Sequence, residues 1–199
     1  LFFFLLVIPI VLSSLYLGGS TINENVVSET NGPVHWHADY EVWVCGEKLD
    51  LIDPKFPSNK IGSPLFHEHN DDRIHIEGTV VNLQNVDLGS YFEVIGGNLK
   101  SDYIKYPTTE GVAEKDNGDL CDGVPGNLKV YVNGKKIQDF ENYKVYPEAR
   151  VPPGDCIIVE FSESNEDTTS RICNSWNALG WDYASFERNE KTLGDKKWR

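Results

Sequence analysis

Methionine is absent from all 199 residues. That removes thioether sites for Cu(I) and the axial methionine of a blue-copper centre. Cysteine is scarce: the four are Cys45, Cys121, Cys156 and Cys173, widely spaced and without a Cys-x-x-Cys pair. Zinc-thiolate modules cluster their cysteines, so this spacing argues against one. Basic residues are outnumbered, 18 Lys and Arg against 31 Asp and Glu, for a net charge of −13. A basic face for nucleic acid or an anionic membrane surface is not expected from that balance. No Gly-x-Ser-x-Gly elbow, P-loop or dinucleotide fingerprint occurs. Nor is there an Asn-x-Ser/Thr acceptor for N-linked glycan. Only one long hydrophobic run is present, and histidine is missing everywhere outside the stretch from His35 to His75.

That run, Leu1 to Leu17, carries no charge. As a helix it is about 25 Å long, close to a bilayer core of ~30 Å. It reads as a retained signal anchor rather than a cleaved signal peptide. Its expected partners are a membrane or neighbouring subunits, in a homo-oligomer or a complex, with no nucleic acid involved. Beside an export-like segment, four cysteines read as up to two disulfides, with three possible connectivities. The expected location is extracytoplasmic: a cell surface, reached by an anchor or by assembly.

The chain, 40% hydrophobic over its 199 residues, has the length and content to bury a core. The expected fold is mainly β (α+β), with two hairpin-led β lobes, one short helix and an N-terminal hydrophobic helix. The organisation runs as an anchor or assembly helix (1–19), a polar stalk (20–33) and a His-rich β lobe (34–100). An irregular acidic insertion (101–127), a second lobe (128–162) and a C-terminal arm (163–199) follow. From Val34 to Val44 apolar and polar residues alternate, which is a strand with one buried face. Residues 86–96 are the helix candidate, with Asp87 as its cap, Leu88, Tyr91, Phe92 and Ile95 on one face, and Gly96-Gly97 at its end. Asn133-Gly134 is a strong hairpin turn signal. One internal echo stands out: Val42 to Leu49 and Val130 to Ile137 both read Val-aromatic-Val-x-Gly-x-Lys-aliphatic. It fits two hairpins of the same kind.

The histidines come as His35-Trp36-His37, His67-Glu68-His69 and a fifth, His75. Imidazole is the commonest metal ligand and is neutral near pH 7. On a strand, residues i and i+2 share a face about 6–7 Å apart, a suitable span for two ligands of one ion. His35, His37, His67, His69 and His75 are therefore the candidate ligands. Asp39, Glu41 and Glu77 are candidates for hydrogen bonding behind them. Imidazole in an oxidising compartment points to copper or zinc. Glu41, Glu68 and Glu77 are the carboxylates available as a general base, although acids in such positions more often orient ligands, so binding is expected over catalysis.

Three resemblances carry further expectations. His35/His37, Gly46, His67/His69/Asn70, His75/Glu77, Leu88 to Phe92, Val130 to Lys135, Asn142-Tyr143 and Gly154 to Val159 together resemble a family of secreted or membrane-anchored proteins of archaea and small-genome bacteria. Within that pattern the C-terminal hairpin and Gly-Asp-x-Ile-x-Val look like a β-grasp lobe, without the terminal Gly-Gly of sulfur carriers. The apolar start resembles mature pilin-like N-termini, with Leu5 where those usually carry Glu and with Pro9 inside the segment; together with the long insertion and the aromatic C-terminal arm it gives a second expectation, a structural subunit of a surface filament or membrane complex. Lastly, His35-Trp36-His37-Ala38-Asp39-Tyr40-Glu41 is similar to the His-x-His-x3-Glu core of the cupin motif. In a cupin-like oxygenase Glu41 would be a ligand, and the second cupin motif has no counterpart here; a cupin-like oxygenase or a metallohydrolase would keep an open coordination position and a substrate-sized pocket beside the histidines.

Overall fold

The computed structural model describes residues 2–145, 154–163 and 170–184. In chain order the elements are α1 (Phe2–Val27), β1 (Pro33–Val44), β2 (Glu47–Leu49), β3 (Ile61–Gly62), β4 (Phe66–Glu68), β5 (Arg73–Thr79) and α2 (Leu88–Val94). There follow β6 (Asn98–Lys100), β7 (Tyr103–Thr108), β8 (Gly111–Asp116), β9 (Leu120–Cys121), β10 (Val124–Val132), β11 (Lys135–Ile137), β12 (Asp155–Glu163) and α3 (Asn174–Ala178). The fold is mainly β, with an apolar N-terminal helix and two sheets, as expected.

The larger sheet has nine strands, running β11-β10-β12-β1-β5-β4-β3, with β2 on β1 and β9 on β10. β1 and β12 at its centre are parallel, while β5 and β10 flank them antiparallel. The antiparallel pairs β1/β5 and β10/β11 lie on either side of β12 in this one sheet, with α2 in the chain between them. Residues 128–162 therefore form no lobe of their own, since their strands share one sheet with β1 and β5.

The two echo hairpins share this sheet instead of leading separate lobes. Val42 pairs with Val159, and Val159 pairs with Val130. Leu49 and Ile137 close the same row on either side. A single last strand, apolar on the core side, accepts both hairpins, so one core serves both. Their turns are alike: Cys45 and Gly46 have φ of 51° and 85°, Asn133 and Gly134 of 51° and 77°. Positive φ at both central residues is the turn whose twist matches the strands it joins.

The alternation in β1 sends Ala38, Tyr40 and Val42 into the main core, where they meet Ile74, Ile76, Phe66 and the buried face of α2. Asp87 caps α2, its side chain accepting from Ser90 N at 2.6 Å. The helix closes with Gly97 N donating to Phe92 O and Gly96 N to Glu93 O. This is a Schellman end, and Gly96 at φ +89° supplies the left-handed residue it requires.

Residues 101–127 are ordered, in contrast to the irregular insertion expected. β6, β7 and β8 form a three-stranded antiparallel sheet. Ile104 and Tyr106 bury against the core, with Tyr106 beside Phe92 at 5.9 Å between ring centroids. Alternate buried residues stabilise β7 despite its polar, Gly-rich surroundings. The stalk is also shorter than residues 20–33, because α1 continues to Val27 before the chain turns into β1. Asn25 Oδ1 accepts from Thr79 Oγ1 at 2.9 Å, fastening the base of α1 to the end of β5.

Both disulfides form: Cys45–Cys121, joining the β1–β2 turn to β9, and Cys156–Cys173, joining β12 to the start of α3. The second ties the described part of the C-terminal arm onto the outer face of the sheet. There Trp176 packs with Tyr131, Cys156 and Ile158, and Arg171 stacks over Trp43 at 4.1 Å. That packing covers the C-terminal half of β1 and leaves the N-terminal half of the same face for the histidines. The expected turn at residues 151–155 and the end of the arm lie largely outside the described residues.

Candidate metal centre

The outer face of β1, β5 and β4 carries the site. Cross-strand pairing sets His37 opposite His75, and His75 opposite His67, so three imidazoles form one row across three adjacent strands. The next row pairs His35 with Glu77. His69 follows β4 immediately, its ring 4.8 Å from that of His67 and 4.8 Å from that of His75. His35 and His37 lie 4.4 Å apart, and His37 and His75 4.7 Å. All five histidines expected from the sequence converge.

Glu77 stands among them. Its Oε1 lies 2.9 Å from His35 Nε2 and 3.9 Å from His75 Nδ1, and its Oε2 lies 3.6 Å from His67 Nε2. Two sets of donor atoms lie within 4.8 Å of one another: His35, His37, His75 and Glu77, and His67, His69, His75 and Glu77. The chain thus positions His and Glu groups to hold a metal ion. The spacing suits the task, since two ligands at ~2.0–2.1 Å from a tetrahedral ion are ~3.4 Å apart.

Outer hydrogen bonds orient the rings. His75 Nε2 lies 3.3 Å from an Asp71 carboxylate oxygen, to which only an N–H can donate. That leaves His75 Nδ1 bare, facing the cluster, buried and without a hydrogen-bond partner. His69 Nδ1 donates to the Asn59 carbonyl at 2.7 Å, which frees its Nε2. His67 also has a buried Nδ1 without a partner. Such groups cost free energy unless something satisfies them.

Burial favours the neutral form of His75, His37 and His67. It is the main cause that brings His75 down to about 4, against the upward pull of Asp71. Burial likewise lowers His37, assisted by His35 and Arg73, and lowers His67, assisted by the Lys60 ammonium. Burial raises the Glu77 carboxyl, but His67, His35, Lys60 and His75 outweigh it, so Glu77 lies below its ordinary value. Neutral imidazole and ionised carboxylate are the forms that bind metal.

Two expected members do not belong. Asp39 sits beyond the row, paired with Arg73 Nε at 2.5 Å and accepting from Ser175 Oγ at 2.6 Å. Glu41 accepts from Trp43 Nε1 at 2.9 Å and from Asn174 N at 2.8 Å, with Lys48 at 3.4 Å. Both share the histidine face of β1 by parity, but the C-terminal arm covers that end and takes them as anchors. This also removes the ligand that a cupin motif would require. Glu77, expected behind the histidines, is in direct contact with them.

Three contributors escaped the sequence reading. Asp71 orients His75; its signal was the acidic pair two residues after His69. Asn59 acts through its backbone, and Lys60 places Nζ 3.5 Å from His67 Nε2; neither has a sequence signature. Glu68 supports Asp71 indirectly. Its buried carboxylate accepts from the backbone N of Asn70, Asp71 and Asp72 at 2.5, 2.5 and 3.0 Å. Those bonds hold the turn in which Asn70 and Asp72 adopt φ of 65° and 56°. No protein-family model, curated protein or solved structure matches the chain.

Proposed function

We propose that this protein is an extracytoplasmic, membrane-anchored domain that binds copper or zinc through His35, His37, His67, His69, His75 and Glu77, and that it handles or stores the ion without catalysing a reaction on a substrate. One observation carries the reading. Every histidine in the chain meets on one sheet face around one carboxylate, and a buried, bare Nδ1 of His75 points into the group. Imidazole nitrogen with carboxylate oxygen suits Zn(II) and Cu(II).

The carboxylates weighed as general bases support binding over catalysis. Glu41 is held by the C-terminal arm, Glu68 by three backbone N–H groups, and Glu77 faces the imidazoles. The location rests on α1 and the disulfides. α1 is long and apolar enough to cross a membrane, its side chains are exposed, and paired cysteines persist in oxidising compartments. The same exposed helix supports a second reading, a subunit of a surface filament or membrane complex, which is compatible with the first. The proposed relationship to the secreted and membrane-anchored family stands on the same histidines.

Protein purified without added metal, analysed for elemental content beside His37→Ala and His69→Ala, tests the reading. Copper or zinc at stoichiometric level, lost or reduced in both variants, is the expected result. Absence of any transition metal, together with no affinity for Cu(II) or Zn(II), overturns it.

A further inference from the structure

The donor set is larger than one ion uses. A tetrahedral Zn(II) or a tetragonal Cu(II) takes about four strong donors. Here five imidazoles and a carboxylate stand on or beside three strands. The strands are not equivalent: β5 is in the middle, and its two neighbours lie about 4.8 Å to either side. The paired histidines sit on or next to the flanking strands, His35 and His37 on β1, His67 and His69 at β4. His75 and Glu77, the two residues common to both donor sets, sit on β5 between them.

The Glu77 carboxylate is divided in the same sense. Oε1 faces His35 at 2.9 Å and Oε2 faces His67 at 3.6 Å. One oxygen is thus directed at each flank. A carboxylate placed this way spans two ions, and in two-metal centres the ions stand ~3.5–4 Å apart.

We infer that the site is dinuclear: two divalent transition-metal ions bridged by Glu77, one held by His35, His37 and His75, the other by His67 and His69. The inference rests on the metal-binding reading above and adds the number and coupling of the ions. His75 belongs with the first ion because its bare Nδ1 lies 3.9 Å from Oε1, the oxygen that faces His35. The first ion then has three imidazoles and a carboxylate oxygen, a complete tetrahedral set. The second has two imidazoles and the other oxygen, which leaves a coordination position to solvent. It also displaces Lys60, whose Nζ stands 3.5 Å from His67 Nε2. The two ions are therefore unequal and fill in sequence, the β1 side first.

The test is a Cu(II) titration of the full chain in detergent, with bound copper counted by elemental analysis and unpaired spins counted by electron paramagnetic resonance, and with Zn(II) counted in parallel. Two ions per chain at saturation are expected. Read at liquid-helium temperature, the spin count should rise with the first equivalent and fall with the second, as exchange through the carboxylate pairs the spins, and a half-field transition should appear with the second. His35→Ala should retain one ion with its full spin; the His35 side chain is 63% exposed, so its loss removes little packing. Glu77→Gln, checked for folding by circular dichroism, should abolish the spin loss. One ion per chain at saturation with either metal overturns the dinuclear centre and leaves metal binding standing. Two ions whose spins are counted in full at liquid-helium temperature, with no half-field transition, overturn the bridge. No bound ion overturns both readings.

Discussion

Asp71 lies 3.3 Å from His75 Nε2 and in doing so determines which nitrogen of His75 faces the cluster. The carboxylate accepts only, so Nε2 carries the proton and Nδ1 remains a bare donor. Carboxylates behind ligand histidines are commonly worth 10–100-fold in metal affinity. Asp71→Ala should weaken Zn(II) or Cu(II) binding by about that factor, measured by competition with a chelator. The Asp71 side chain is 43% exposed, so the fold should hold.

Lys60 acts in the opposite direction. Its ammonium beside His67 repels an incoming cation. Lys60→Gln should tighten the weaker binding step about fivefold, equivalent to ~1 kcal/mol of partly screened repulsion. The tighter step should change less, and the two are separable by calorimetric titration.

Acid should destabilise the metal-free protein through His75. Folded, it titrates at about 4, against 6.5 for a free imidazole. Above pH 6.5 both states are neutral and the contribution is fully present. Between pH 6.5 and about 4 the unfolded chain takes up a proton that the folded one refuses, so stability is lost as the pH falls. The loss approaches about 3 kcal/mol at the acid end. His37 and His67, lowered by the same burial, act in the same sense. Thermal melts of the chelator-treated protein at pH 7.5 and pH 5 should show it, and His75→Gln should flatten the difference.

The C-terminal arm should be separable from the metal site. The Cys156–Cys173 bond closes a sequence separation of 17. Loops of that size are worth about 3 kcal/mol. Cys156→Ser with Cys173→Ser should lower stability by about that amount and expose Trp176, seen as a red-shifted tryptophan emission. Metal stoichiometry should stay as it was, because the arm covers the other half of β1.

Much of this molecule was readable from local rules. Strand parity placed His35 and His37 on one face, Asp87 announced the start of α2, and Asn133-Gly134 announced a turn. The echo between Val42 to Leu49 and Val130 to Ile137 marked two hairpins of one kind. Those signals depend on neighbours within a few residues, where backbone geometry follows from the side chains. β7 was missed because its buried partners, Phe92 among them, come from elsewhere in the chain.

The amino-acid sequence by itself determined that a histidine-rich sheet face would exist and that an exposed apolar helix would precede it. Tertiary structure decided what that face became. Pairing put β5 between β1 and β4, so His75 and Glu77 stand between the two His-x-His pairs. The disulfide from Cys156 to Cys173 brought the arm over Asp39 and Glu41 and withdrew both from the site. Parity assigns a residue to a face, but its neighbours across strands depend on which strands pair. That choice is made by burying Ala38, Ile74, Ile76 and Phe66 together in a single core, a cooperative event that no local pattern encodes.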